Sequence, residues 1–160
     1  MTTRICFVCL GNICRSPTAE GVFRHLIRQR GREGDFVVYS AGTDAYHVGE
    51  SPDRRSATTA AHRGITLSGS AARFEAEDFD RFDWVIAMDR SNHRALLERA
   101  PNPEAEAKVV LLRRWDPRND AGEDLDVPDP YYGGASGFDE VLDICTRSCA
   151  ALLDALDERS

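Results

Sequence analysis

The sequence has no apolar run long enough to cross a membrane, and its first residues lack the apolar stretch and cleavage site of a secretory signal. It has five cysteines, an odd number that argues against a secreted disulfide framework. The four histidines, His25, His47, His62 and His93, have no metal-ligand spacing with one another or with the cysteines. We therefore expect a cytoplasmic protein that binds no metal, needs no cofactor and does not enter membranes.

The chain also has fewer basic than acidic residues, 20 against 27, so the formal net charge of its 160 residues is −7. This sign makes nucleic acids and anionic membranes poor partners. It also opposes an anionic substrate, so a phosphate site would have to attract its ligand through local groups. The length predicts one domain over residues 1–160, and a monomer is the expected state.

Short apolar runs rich in Val and Ile alternate with helical patterns along the chain. Alternating strands and helices predict a single-domain, three-layer α/β/α fold with a four-stranded parallel sheet. The predicted strands are residues 4–8, 36–40, 84–88 and 108–112. The predicted helices are an apolar stripe over residues 19–27 that ends at Gly31, a helix from Ser51-Pro52 to about Gly64, a helix capped by Ser91 and closed by Pro101, and an apolar stripe over residues 138–156. Asp89, which follows the third predicted strand, is also interpreted as a helix cap.

The most informative segment follows the first predicted strand and reads CLGNICRS over residues 9–16. Pro17 can only lie in the first turn of a helix, so the segment forms a loop at a helix N-terminus, where open amides and the helix dipole bind anions. Such a site favours the thiolate of Cys9, and Arg15 can grip two oxygens of the same anion. Gly11 and Asn12 tolerate the positive φ that a cradle of inward amides needs. The segment predicts a phosphate-binding loop with a sulfur nucleophile; the alternative is a structural turn with buried cysteines.

A nucleophile that attacks a phosphate ester needs an acid for the leaving group. The acidic, turn-rich stretch over residues 119–130 is a candidate source. Within it, Asp129 lies between two prolines that stiffen the backbone and precedes two tyrosines. From the residues alone, Asp120, Asp124 and Asp126 remain alternatives.

Four blocks in this order resemble the low-molecular-weight protein tyrosine phosphatases. They are VCLGNICRSPTAE over residues 8–20, SAGT over residues 40–43, MDRSN over residues 88–92 and DPYYG over residues 129–133. The similarity is greatest to bacterial members, since YHVG follows the serine block at residues 46–49. The resemblance implies hydrolysis of phosphotyrosine, in a protein or a small aryl phosphate, through a cysteinyl-phosphate.

The resemblance also implies a role for each matching residue. Cys9 is the expected nucleophile, Arg15 the phosphate clamp and Asp129 the general acid and base. The amides of Leu10, Gly11, Asn12, Ile13, Cys14 and Ser16 would bind phosphate, Asn12 and Ser40 would brace the loop, Ser16 would stabilise the thiolate, and Tyr46, Tyr131 and Tyr132 would form the substrate pocket. Many members carry a histidine where this chain has Gly69-Ser70. The resemblance therefore leaves open whether this chain forms the hydrogen bond that the histidine would supply in support of the loop.

Three other functions compete with this one. An arsenate reductase of the same fold needs resolving cysteines in the middle of the chain, and none lies between Cys14 and Cys145. Protein arginine phosphatases typically carry threonine at the position of Ile13, whose apolar side chain fits an aromatic ester better. A phosphotyrosine-binding module without turnover would need neither nucleophile nor acid. Cys14 either packs under the loop or forms a reversible disulfide with Cys9 that protects the nucleophile.

Overall fold

The computed structural model describes residues 2–119, 124–131, 133–134 and 136–158. Its centre is a sheet of four strands, which are β1 (Thr3–Cys9), β2 (Phe36–Gly42), β3 (Trp84–Ala87) and β4 (Val109–Leu111). The strands lie in the order β2-β1-β3-β4, and all neighbouring strands are parallel. The four predicted strands are confirmed, with ends that differ by up to two residues.

Helices cover both faces of this sheet, as the predicted three-layer architecture requires. They are α1 (Arg15–Gln29), α2 (Arg54–Ala61), α3 (Arg90–Arg99), α4 (Pro103–Ala107) and α5 (Ser136–Glu158). Alternate residues of β1 enter two separate cores, because successive side chains of a strand point to opposite faces. Ile5 and Phe7 pack with α1 and α5, whereas Cys6 and Val8 pack with α3, α4 and a 3₁₀ segment, Ala76–Arg81.

Two predicted helix starts are wrong by a few residues. The second helix begins at Arg54 and not at Ser51-Pro52, because the Asp53 carboxylate accepts the amide of Arg55 as the N-cap. The third helix is capped by Asp89 and not by Ser91, since the Asp89 carboxylate accepts the amide of Asn92 at 2.7 Å. In both cases an aspartate near the predicted cap satisfies the open amides of the first turn.

Within the described part of the chain, no helix is long and apolar enough to cross a membrane. The same residues contain no group of three or more His, Cys, Asp or Glu side chains that could hold a metal ion.

The carboxyl ends of β1, β2 and β3 lie side by side, and they bring distant parts of the sequence together. Cys9 at the end of β1 pairs with Gly42 at the end of β2, and Met88 and Asp89 follow β3. Ligands of parallel α/β folds bind at this edge of the sheet. The predicted phosphate loop therefore lies where the fold favours a site.

Candidate active site

The loop after β1 curls around the sulfur of Cys9. The backbone amide of Asn12 points at Cys9 Sγ at 3.2 Å, and Asn12 has a φ of 57°. This left-handed conformation turns an amide inward, as the sequence predicted for this position. Gly11 is not among the described residues with positive φ. Gly11 instead leaves room for a neighbouring side chain, because a Cβ on Gly11 would lie 3.0 Å from the His47 ring.

A chain of hydrogen bonds braces this loop and fixes the direction of each donor. The amide of Ala72 donates to Asn12 Oδ1 at 3.0 Å, so Asn12 Nδ2 is the donor toward its other partners. It donates to Ser16 Oγ at 2.8 Å and to Ser40 Oγ at 2.9 Å. Ser40 donates in turn to a carboxylate oxygen of Glu20 at 2.6 Å. Asn12, Ser40 and Glu20 are thus joined by hydrogen bonds beside the loop.

The direction of these bonds determines what Ser16 offers to the nucleophile. Ser16 Oγ already accepts from Asn12, so its hydrogen is free to point at Cys9 Sγ, 3.0 Å away. The competing acceptor, the carbonyl of Ala41, is farther away at 3.4 Å. A hydroxyl and a backbone amide can therefore both donate to the buried Cys9 sulfur and hold it in place.

Arg15 lies beside the loop as a buried cation, with 4% of its side chain exposed. Its Nη1 donates to the Asp89 carboxylate at 2.5 Å and to the carbonyl of Val127 at 3.0 Å. Burial lowers the pKa of Arg15, but nearby Cys9 and Asp89 outweigh burial and raise it overall. The guanidinium is therefore charged and held in one orientation next to the sulfur.

Asp129 reaches the same place from the other end of the chain. Its Oδ2 lies 3.8 Å from Arg15 Nη2, and its Oδ1 accepts the amide of Tyr131 at 3.0 Å. With 43% of its side chain exposed, Asp129 stands at the rim of the site and in contact with water. Of the described aspartates that the sequence left open, Asp124, Asp126 and Asp129, the last is the one with a carboxylate on Arg15 and a place in the cleft. Asp120 lies outside the described residues.

A cleft of about 160 Å³ opens over the sulfur. The rings of His47 and Tyr131 form its far wall. Their centroids lie 6.0 Å apart, and their planes are tilted by 50°. Tyr46 stands at the mouth with 81% of its surface exposed. The cleft is lined by Cys9, Leu10, Gly11, Ile13, Cys14, Arg15, Tyr46, His47, Asp129 and Tyr131. Tyr132, which the sequence assigned to the same pocket, lies outside the described residues.

Three functional contacts were missed by sequence reasoning. Asp89 was interpreted as a helix cap, and it both caps α3 and holds Arg15. His47 was quoted in the YHVG block and noted for lacking metal-ligand partners, but it was given no role, and it lines the cleft. Glu20 belongs to the first quoted block without an assigned role. Its position one helical turn after Ser16, on the same side of α1, is a signal that could have pointed to it.

A separate depression of about 270 Å³ lies behind the loop, and Gly69 and Ser70 form part of its lining. Asn12, Glu20 and Ser40 line it together with these two residues. Glu20, which lines this depression, accepts the Ser40 hydroxyl and is itself paired with Arg24 Nε at 3.0 Å.

Gly42 determines how closely the phosphate loop approaches β2. A Cβ on Gly42 would lie 2.8 Å from the carbonyl oxygen of Leu10 and 3.2 Å from the carbonyl carbon of Gly11. We expect Gly42→Ala to cost about 1–3 kcal/mol of stability by overpacking and to weaken vanadate binding, because backbone must move. The control is Gly34→Ala, where a Cβ meets nothing within 4 Å. Urea unfolding and vanadate titration test this, and equal behaviour of the two variants would contradict it.

The comparisons with known proteins agree over nearly the whole chain. The sequence profile of the family described as low molecular weight phosphotyrosine protein phosphatase matches residues 4–160. A low molecular weight protein-tyrosine-phosphatase of Streptomyces coelicolor is 46% identical over 159 residues, covering 99% of this chain and 96% of the relative. A solved protein tyrosine phosphatase of Entamoeba histolytica, with Hepes in its active site, has a TM-score of 0.92 at 36% identity and 98% coverage of both chains. A Drosophila arginine phosphatase has a TM-score of 0.87 at 33% identity, covering 95% of this chain and 96% of that one.

Proposed function

Because this chain belongs to the low-molecular-weight phosphotyrosine protein phosphatase family, we propose that it hydrolyses phosphotyrosine through a phosphate ester of Cys9. The observation that carries the proposal is the convergence of Cys9, Arg15 and Asp129 on one cleft with an aromatic wall. A nucleophile, an anion clamp and an acid at one anion site are the parts that this reaction needs.

In the first step the phosphoryl group lies in the loop, among the amides of residues 10–16. Arg15 binds two of its oxygens and stabilises the charge of the transition state. The Cys9 thiolate attacks phosphorus in line, the P–O bond to the phenol breaks, and Asp129 gives its proton to the departing phenolate. Asp129 suits this role because its half-exposed carboxyl can reload from water.

In the second step water hydrolyses the S–P bond. Asp129, now a carboxylate, takes a proton from the attacking water, and the electrons of the S–P bond return to Cys9 as a thiolate. The hydrogen bonds from Ser16 and from the amide of Asn12 stabilise the sulfur as a leaving group. Inorganic phosphate leaves last, which predicts ping-pong kinetics.

The substrate class follows from the walls of the cleft. An aromatic ester can pack between Tyr46 at the mouth and Tyr131 on the far wall, with apolar Ile13 below. Phosphoserine would leave these surfaces uncovered and hold its phosphorus above the sulfur. We therefore propose phosphotyrosine proteins or small aryl phosphates as substrates.

A turnover assay tests this function. We expect phosphate release from a phosphotyrosine peptide and little from the matched phosphoserine peptide. Phosphoarginine is the informative competitor, since the similar Drosophila structure is an arginine phosphatase. Preferential turnover of phosphoarginine, or thiol-coupled reduction of arsenate, would keep the nucleophile and overturn the substrate.

We also propose that Cys14 protects Cys9 from irreversible oxidation. Burial raises the pKa of the Cys14 thiol to about 12, so it stays protonated while Cys9 is the reactive sulfur. Peroxide would oxidise the Cys9 thiolate to a sulfenic acid. The Cys14 thiol would then attack that sulfur, forming a disulfide and releasing water.

Peroxide inactivation of wild type and Cys14→Ser tests this role. We expect thiol reductant to restore most wild-type activity, whereas Cys14→Ser should recover little once sulfinic acid forms. Cys149→Ser is a matched control, because Cys149 is also a buried thiol with a raised pKa. Equal recovery in all three proteins would overturn the protective role.

A further inference from the structure

The segment that carries Asp129, residues 124–131, is fastened to the rest of the molecule just before the acid. We call this segment the acid loop. The Val127 side chain is 1% exposed in the core beside α1 and α5. Its amide donates to the carbonyl of Met88 at 2.8 Å, and its carbonyl accepts from Arg15. Val127 therefore anchors the loop two residues before the acid.

Asp126 adds a second attachment at the first turn of α3. Its carboxylate accepts the backbone amide of Arg90 at 2.8 Å and two hydrogen bonds from the Arg90 guanidinium at 3.3 and 3.2 Å. Although burial raises the pKa of Asp126, the hydrogen bonds from Arg90 lower it overall. The attachment is therefore present above the ordinary pKa of an aspartate and is lost only as the pH falls through this depressed value.

The same first turn of α3 also holds the phosphate clamp. Asp89, the N-cap of the helix, accepts from Arg15 with one carboxylate oxygen and from the amide of Asn92 with the other. Two consecutive residues thus contact different parts of the active site. Asp89 binds Arg15, and Arg90 binds the acid loop through Asp126. One rigid turn sets the separation of clamp and acid.

A buried cation, Arg113, also supports the acid loop. Arg113 is 8% exposed, and its Nη1 donates to the Asp126 carbonyl at 2.9 Å and lies 3.0 Å from an Asp124 carboxylate oxygen. Its Nε donates to Asp116, whose fully buried side chain also binds Arg147 of α5 in a bidentate pair. Arg113 is therefore held in place by groups outside the loop that it supports.

We propose that Arg90 and Asp126 are positioning residues for catalysis, which hold Asp129 in register with Arg15 through the first turn of α3. The proposal rests on the proposed function, in which Asp129 protonates the leaving group. It follows from two facts: three arginines converge on residues 124–127, and only two residues lie between Asp126 and Asp129. A shift of about 1 Å in an acid is enough to cost up to 10²-fold in rate.

The chain contains a matched control for this ion pair. Asp83 accepts the backbone amide of Arg4 at 2.8 Å and the Arg4 guanidinium at 3.4 and 3.2 Å. The exposed fractions are alike, 42% for the Asp83 side chain and 40% for Asp126. Asp83 lies at the amino ends of β1 and β3, opposite to the active site. Asp126→Asn and Asp83→Asn therefore remove the same interaction from the two ends of the sheet.

The experiment compares kcat/KM for phenyl phosphate, a poor leaving group, and p-nitrophenyl phosphate, a good one. We expect Asp126→Asn to lower kcat/KM about ten-fold for phenyl phosphate and far less for p-nitrophenyl phosphate, with vanadate affinity unchanged. Asp83→Asn should leave both values at the wild-type level. Arg90→Gln, which keeps the backbone hydrogen bond to Asp126, should show the same selectivity to a smaller degree and serves if Asp126→Asn does not fold.

The positioning role would be overturned if Asp126→Asn lowered kcat/KM equally for both esters. It would also be overturned if neither Asp126→Asn nor Arg90→Gln lowered kcat/KM. The catalytic assignment is tested separately by Asp129→Asn in the same assay. If Asp129→Asn depends on the leaving group and Asp126→Asn does not, the positioning role fails and the proposed function stands. If Asp129→Asn shows no such dependence, both fail together.

Discussion

Replacing Cys9 by serine is expected to abolish turnover of phosphotyrosine, with a loss of at least about 10⁴-fold in kcat. The serine hydroxyl does not ionise near neutral pH, so the hydrogen bonds from Ser16 and the Asn12 amide have no anion to stabilise. The anion site itself, formed by the loop amides and Arg15, should persist. Phosphotyrosine peptide should therefore still bind, and calorimetry on the inactive variant measures that affinity.

Cys6→Ser is the control, because it makes the same cysteine-to-serine change at another buried position of the strand. Cys6 lies on the same strand, but it is buried on the opposite face of the sheet, in the core beside α3 and α4. We expect Cys6→Ser to lose stability and to keep its turnover per folded molecule. Residual turnover in Cys9→Ser near the level of Cys6→Ser would contradict the assignment of the nucleophile.

Replacing Asp129 by asparagine is the second large effect that we expect. Asparagine keeps the shape and the hydrogen bond to the Tyr131 amide, but it has no proton for the leaving phenolate. The loss in kcat/KM should be on the order of 10²–10⁴ for phenyl phosphate and much smaller for p-nitrophenyl phosphate, which leaves without protonation.

The control for Asp129→Asn is Asp154→Asn. Asp154 is an exposed aspartate of α5 that pairs with Arg30 on the surface and does not line the cleft. We expect wild-type kinetics on both esters from this variant. A uniform loss on both esters in Asp129→Asn would assign Asp129 to binding and not to proton transfer.

The sheet could be predicted from the sequence because its signals are local. Strands such as Thr3–Cys9 and Trp84–Ala87 are short runs of Val, Ile and other apolar residues with polar ends, and parallel pairing follows from the intervening helices. The starts of α2 and α3 were less predictable, because an aspartate and a serine compete for each cap. Geometry decides between them, as the bonds of Asp53 and Asp89 to the following amides illustrate.

The residues of the candidate site also differ in whether the local sequence could predict their contacts. Residues 9–16 are contiguous, so their loop and the contact of Ser16 with Cys9 could be predicted from the resemblance and from Pro17. Asp89 and Glu20 act through partners that are far away in sequence, Arg15 and Ser40. A local pattern identifies neither partner, although it places Glu20 on the same side of α1 as Ser16. Asp129 itself could be separated from neighbouring aspartates only by the resemblance, and its contact with Arg15 depends on the path of the whole acid loop.

The central claim is that phosphate passes through Cys9, and trapping the phosphoenzyme tests it most directly. Wild type and Cys9→Ser are mixed with a phosphotyrosine peptide, quenched within milliseconds and digested for mass spectrometry. We expect one phosphate on the wild-type peptide that contains Cys9, formed at the rate at which tyrosine is released, and none on Cys9→Ser. Steady release of phosphate with no phosphorylated Cys9 at any time would contradict the account.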